Sequence, residues 1–206
     1  MIDASEQKDI TYNEEVMRKA VHVCSVIIPL FYFILPRSTM LIILSSVAAA
    51  AIFMDISRMS GMAIWSKILI KPFGSMIRPK EKEGFTGASY IISTDVLVIL
   101  LFAKPVAICA MAFIALGDSV AAVVGRRWGF HKYGNKSVEG SLGFFVAAAG
   151  AGIGFHFLYP EQLPLLVGIG GAFVATIVEA MSVRSDDNMT VPTISGLFMQ
   201  ILLAFL

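Results

Sequence analysis

Apolar residues run along this chain in seven blocks, at 21–35, 39–54, 87–103, 105–125, 139–159, 163–181 and 190–206, with polar stretches between them. Blocks of this kind read as helices that cross a bilayer, and their number predicts seven spans. Several are shorter than the roughly 20 residues a bilayer asks for, so some helices are expected to run beyond the hydrocarbon. Thr11 and Glu14 have capping-box spacing and start the first helix ahead of its apolar block. Pro36-Arg37-Ser38-Thr39 and Lys104-Pro105 read as tight turns. Residues 62–77 differ in kind, because Lys67 and Lys71 interleave with apolar positions and Pro72 and Gly74 interrupt them. That pattern suits a short interfacial helix. The predicted fold class is all-α: a polytopic membrane helix bundle of about seven transmembrane helices plus one short interfacial helix. It forms a single domain over residues 1–206, with 1–13 as a polar lead-in.

Composition agrees with this class, since 57% of the residues are hydrophobic and only 15% are charged. A net charge of +1 suggests neither a nucleic-acid nor an acidic partner. Cys24 and Cys109 fall inside apolar blocks, so they form no disulfide framework. The first twenty residues lack the basic, apolar, small-residue order of a cleavable signal peptide. Seven-span alternation puts the N-terminus and the 55–86, 125–138 and 182–189 segments on one side of the membrane. Those segments hold 14 of the 16 Lys and Arg residues, leaving Arg37 and Lys104 opposite. The positive-inside rule makes that side cytoplasmic. A transporter would string polar groups from face to face; here they gather at one face of a cell-membrane protein.

Asp118 is the first candidate for chemistry. It lies in the fourth block, about seven residues before the basic end at Arg126 and Arg127, hence roughly 10 Å below that boundary at about 1.5 Å per residue. An ionisable group at such depth marks a function by default. The alternative is a packing residue hydrogen-bonded to Ser119 or to backbone. Arg18, Lys19, Arg78, Arg126, Lys132 and Lys136 alone would fit anionic headgroups. Together with Asp118, Glu139, Glu179, Asp186 and Asp187 they fit phosphates plus a hard divalent cation. Magnesium is commonly held by one or two carboxylates and the substrate's own phosphates, and phosphoryl transfer otherwise needs charge stabilisation by Lys and Arg.

Other patterns carry less. Gly129-Phe130-His131-Lys132-Tyr133-Gly134-Asn135-Lys136-Ser137 comes near a P-loop, but Asn135 separates the last glycine from the lysine and no strand precedes it. Glycines at 150, 152, 154, 168, 170 and 171 sit in apolar blocks, where small residues serve close helix packing. His22, His131 and His156 are dispersed and have no zinc-ligand spacing, and His156 reads as structural. Asp95 reads equally as a helix-pairing acid or a channel group.

Five motifs occur in order: Arg18-Lys19-x-x-His22; Thr86-Gly87-Ala88-Ser89-Tyr90; Gly117-Asp118-Ser119-x-Ala121-Ala122-x-x-Gly125-Arg126; Lys136-Ser137-x-Glu139-Gly140-Ser141; and Glu179-Ala180 followed by Asp186-Asp187-Asn188-x-x-x-Pro192. The set resembles the polyprenol kinase family, which includes dolichol kinases, phytol kinases and CTP-dependent diacylglycerol kinases. The resemblance implies an integral membrane enzyme that transfers the γ-phosphoryl of CTP to a lipid hydroxyl and depends on Mg2+ or another divalent cation. It implies Asp118, Lys136, Glu139, Arg18 and Lys19 as catalytic residues. Gly117, Ser119, Gly125, Arg126, Lys132, Ser137, Asp187, Asn188 and Arg78 would bind nucleotide, with Gly125 allowing close approach at a turn. Asp118, Glu139 and Asp187 would hold the metal, with Asp186 and Glu179 in support. A polyprenol or dolichol-type alcohol leads as acceptor, ahead of diacylglycerol or phytol. A cytidylyltransferase releasing pyrophosphate and a small transporter or lipid-binding protein are the competing classes. A homo-oligomer stays open.

Overall fold

The computed structural model describes residues 23–61, 84–181 and 186–206. Within them lie seven helices: α1 (Ile27–Ile34), α2 (Arg37–Met59), α3 (Gly87–Leu101), α4 (Lys104–Trp128), α5 (Val138–Leu158), α6 (Leu165–Met181) and α7 (Asp187–Ala204). A hairpin of β1 (Lys132–Tyr133) and β2 (Lys136–Ser137) joins α4 to α5. The expected cap at Thr11, the interfacial helix at 62–77, and Arg18, Lys19, His22 and Arg78 lie outside the described residues.

One helix falls on each apolar block, so the all-helical class holds. The length of the spans differs from expectation. Among the described residues only α2, α4 and α5, at 23, 25 and 21 residues, are long and apolar enough to cross a membrane. The apolar helices α3 and α6 have 15 and 17 residues. A helix of 17 residues rises only about 25 Å against a hydrocarbon core of about 30 Å.

The sequence sets the helix starts locally. Pro36 precedes α2, Pro105 sits in the first turn of α4, and Ser137 and Asp186 cap α5 and α7 through their side-chain oxygens. Each is a residue type suited to that place: proline lacks the N–H a first turn leaves unpaired, and Ser and Asp accept from one.

α4 is the central element. Its apolar window is 61% buried, against 22% for α2 and for α5, and residues 105–115 are buried in succession. α5, α6 and α7 pack around it in sequence, α7 returning to touch α4, while α3 lies against α7 and α2 against α3. Phe113, Phe144, Ile108, Met111 and Met199 fill the interior. Gly152 and Gly168 face each other so closely that a Cβ on Gly152 would stand 2.9 Å from the Gly168 backbone. α5 and α6 are in backbone contact there, the packing use expected of small residues. Gly150 and Gly154 face open space instead. The outward surface is apolar, with Ile42, Phe53, Val123, Val146, Phe157 and Phe173 exposed. In water that surface would be unfavourable; against lipid tails it is not.

The two ends of the bundle differ. At one end Arg37 donates to the Leu100 carbonyl at 2.7 Å, and Lys104 donates to the Leu35 carbonyl at 2.9 Å while lying over the Tyr32 ring. His156 meets the Leu163 carbonyl at 3.0 Å across the α5–α6 connection, a structural use. At the other end Asp55, only 2% exposed, ties α2 to α3. It accepts from the Thr86 N–H at 2.9 Å, the Thr86 hydroxyl at 3.0 Å and the Ser89 hydroxyl at 2.6 Å, and pairs with Arg58 at 3.2 Å.

Removing one member of such a buried cluster strands the others. Asp55→Ala should lower unfolding stability by about 3 kcal/mol, seen as a lower thermal midpoint in detergent. Asp55→Asn, which keeps an acceptor, should lose less; equal midpoints for wild type and Asp55→Ala would contradict this account.

Candidate active site

The site forms where α4 ends, turns and returns as α5. Asp118, Ala121, Ala122 and Gly125 recur at helical spacing and share one face of the C-terminal part of α4, and Gly129 follows as its C-cap. The hairpin then reverses the chain, pairing Lys132 with Ser137 and Tyr133 with Lys136. Its loop is Gly134-Asn135, with Gly134 at φ +56° and, among the described residues, no non-glycine at positive φ. A positive φ at the first loop position alone is the type II′ geometry that suits a two-residue hairpin. Ser137 ends β2 and caps α5, its Oγ accepting from the Gly140 N–H at 3.1 Å.

Gly125 lies inside α4 rather than at a turn. A Cβ there would stand 3.1 Å from the Ser137 Oγ and 3.6 Å from the Gly140 Cα, and one on Gly140 would stand 3.1 Å from the Ala121 carbonyl oxygen. α4 and α5 therefore cross backbone to backbone beneath the hairpin, so close approach of helices is what Gly125 supplies here.

A cavity of about 700 Å³ lies at this junction. Of the residues expected in the site it brings together Asp118, Gly125, Arg126, Lys132, Lys136, Ser137 and Asp187. Ala121, Ala122, Gly129, Asn135, Gly140, Ser141 and Glu179 complete its lining. The helical period starting from Asp118 signals the first three of these. Asn135 follows from the hairpin turn, while Gly140, Ser141 and Glu179 stand in the ordered motifs, Glu179 as a supporting carboxylate.

Glu179 is the most buried charged group in the lining, at 4% exposure. Its Oε1 receives the Lys136 ammonium at 2.6 Å, and its backbone carbonyl accepts a second bond from the same ammonium. Its Oε2 accepts from the Ser141 hydroxyl at 3.3 Å, and Ser141 in turn shares a hydrogen bond with the Tyr133 hydroxyl. Asp187 Oδ2 stands 3.8 Å from the Lys136 ammonium.

Other expected residues stand outside the cavity lining. Glu139, expected among the metal ligands, meets the His131 ring nitrogen at 2.7 Å and the His131 N–H at 3.3 Å, so it braces the base of the hairpin. The Ser119 hydroxyl donates to the Ala115 carbonyl at 2.8 Å, one turn back in its own helix. The Asn188 amide donates to Asp186 at 2.7 Å, within the cap of α7. A Cβ on Gly117 would fall 2.6 Å from the Phe144 ring, so this glycine admits an aromatic side chain to the core.

The cavity lining holds three cations, Arg126, Lys132 and Lys136, and three carboxylates, Asp118, Glu179 and Asp187. Gly140 and Ser141 in the first turn of α5 and Asp187 at the start of α7 also bring two helix N-termini, where the macrodipole is positive, to its edge. This is a setting for an anion accompanied by a cation. Among the described residues no three or more His, Cys, Asp or Glu side chains gather into a metal cage. A magnesium ion that takes most of its ligands from phosphates and water needs one or two carboxylates, and Asp118 and Asp187 are suited to that partial set.

Two glycines of this region should respond differently to substitution. Gly125→Val must push the Ser137 side chain and the Gly140 backbone aside and should cost about 1–3 kcal/mol. A Cβ on Gly134 meets no neighbour within 4 Å, so Gly134→Ala should cost only about 1 kcal/mol through its backbone conformation. Thermal unfolding of both variants in detergent checks the order.

No family model matches the chain, and no solved structure matches it significantly. Among curated proteins it is 30% identical to an uncharacterized protein of Rickettsia prowazekii, over 88% of this chain and 91% of that one. It is 28% identical to a CTP-dependent diacylglycerol kinase of Schizosaccharomyces pombe, over 68% of this chain and 70% of the relative. A probable chloroplastic phytol kinase of Glycine max is 30% identical over 57% of this chain, and the match spans 45% of that longer protein. Together with the ordered motifs, these relatives show that the chain belongs to the polyprenol kinase family of lipid kinases.

Proposed function

We propose that this protein is a CTP-dependent lipid kinase that transfers the γ-phosphoryl of CTP to the hydroxyl of a polyprenol-type alcohol in the membrane. The observation that carries the reading is the cavity itself. Three cations and three carboxylates meet at one end of an apolar bundle, where a water-soluble triphosphate and a lipid hydroxyl can both arrive.

In the proposed reaction the lipid hydroxyl oxygen bonds to the γ-phosphorus as the bond from that phosphorus to the β,γ-bridging oxygen breaks. CDP leaves with the bridging oxygen. Asp118 takes the hydroxyl proton, because it is the lining carboxylate set deepest in the helix that leads into the membrane core. Arg126 and Lys132, both exposed at the mouth, and Lys136 balance the triphosphate, each through charge-assisted hydrogen bonds. Bound magnesium would neutralise phosphate charge, with Asp118 and Asp187 as its protein ligands.

The clustering of helix ends supports the seven-span arrangement with this cavity on the cytoplasmic side. Residues 35–37, 100–104 and 159 meet at one end, and 55–58 meet 84–89 at the other. Alternation then puts 14 of the 16 Lys and Arg residues on the cavity side. Diacylglycerol is the second reading for the acceptor, favoured by the fission-yeast relative that matches 68% of this chain.

Purified protein incubated with γ-labelled CTP and polyprenol, phytol or diacylglycerol in detergent should place label in a lipid monophosphate. CDP should appear in equal amount, polyprenol should be the best acceptor, and chelation should stop the reaction until magnesium is returned. Label released as pyrophosphate would make the protein a cytidylyltransferase, and no labelled lipid would end the kinase reading. Asp118→Asn should remain folded yet lose about 10² to 10³ in turnover, the scale of one lost transition-state charge contact. Near-normal activity would return Asp118 to helix packing.

A further inference from the structure

We propose that Glu179 is the positioning residue of the nucleotide subsite, holding Lys136 so that one of its N–H groups is kept for a phosphate oxygen. The identity of that phosphate rests on the kinase reading above; the geometry does not.

A lysine ammonium has three donors. Glu179 takes two of them, through its carbonyl oxygen and through Oε1 at 2.6 Å. Asp187 Oδ2, at 3.8 Å, is beyond hydrogen-bond length, so the third donor is left for the cavity that both residues line. Glu179 is itself fixed. It is 4% exposed, and its second oxygen accepts from Ser141 on α5. The single Ser141 proton is thereby committed, so Tyr133 on β1 is the donor in the bond between the two hydroxyls. A chain of contacts thus runs from the hairpin through α5 to α6 and back to the hairpin at Lys136.

A plain staple between α6 and the hairpin would not need to sit in the cavity lining or leave a donor unspent. Without the Glu179 charge, the nearest anion to Lys136 is Asp187. The ammonium would move onto it, and a cation needed for phosphate and a carboxylate needed beside it would cancel. Glu179 therefore leaves Lys136 and Asp187 as a loose ion pair at 3.8 Å, short of the hydrogen-bonded contact that would cancel both charges. Holding a charged donor in place before the ligand arrives removes an ordering cost from binding.

The test uses two readouts on the full-length protein: protection of thermal unfolding by CTP, which needs no lipid, and steady-state kinetics. Glu179→Gln should weaken CTP protection and raise the KM for CTP by about tenfold, the loss of one charge-assisted contact. The KM for the lipid alcohol should not move, and Glu179→Asp, which keeps the charge, should recover part of the loss. Lys136→Ala should show the same CTP defect, and adding Glu179→Gln to it should change nothing further, because the two act as one unit. Additive losses, or a Glu179→Gln protein that is less stable but binds CTP normally, would overturn the proposal. If Glu179→Gln does not fold, Ser141→Ala should weaken CTP binding by a smaller factor, and an unchanged CTP constant there counts against it. Wild-type protein protected by CTP but labelling no lipid would sink the kinase reading alone. Normal CTP binding by Glu179→Gln in an active kinase would sink only this proposal.

Discussion

The close crossing of α4 and α5 is the constraint on which the site depends. With Gly125 and Gly140 in backbone contact range, nothing separates the two helices at the point where the chain reverses. A short hairpin can therefore join them, and its second strand runs straight into the Ser137 cap. Widening that crossing by one side chain would lift the hairpin and carry Lys132 and Lys136 away from Asp118. The geometry of the cavity is thus set by the absence of atoms at two positions.

The polar groups at this end survive in an apolar bundle because they satisfy one another. Glu179 is offset by Lys136 and Ser141, Glu139 by His131, and Asp55 by Arg58, Thr86 and Ser89. Buried charge is tolerated only with such partners. The membrane adds a second condition, since water reaches only the ends of the helices. Chemistry that needs both ions and lipid is confined to a shallow zone, and the lining of the cavity lies within the last few turns of α4 and α6, the hairpin, and the first turns of α5 and α7.

Much of this was legible in the sequence. The apolar blocks located every described helix, because length and hydropathy are properties of the local chain. The face from Asp118 to Gly129 followed from helical spacing. The direction of Glu139 did not, since a charge near a helix start can turn inward or brace a neighbouring loop, and only the position of His131 decides it. The hairpin read as a loop because each of its strands is two residues long. The Lys136–Glu179 pair joins residues 43 apart, and such a contact is fixed by how α5 and α6 pack rather than by either segment alone. Which of the apolar helices reach across a whole bilayer also escaped the sequence, because block length counts residues that connections then consume.

Arg37 and Lys104 stand apart from the other described basic residues, Arg58, Arg126, Arg127, Lys132 and Lys136, at the opposite end of the bundle. Each spends its charge on a carbonyl at the end of a neighbouring helix, where the unpaired acceptors of the last turn and the negative end of the dipole gather. These two cations act as terminal clips between successive hairpins of helices, α1 to α4 and α2 to α3. Neither contact can form until both helices of its pair are in place. Under the orientation proposed above, these charges would have to be carried across against the usual bias, and the contacts made on assembly would hold them there.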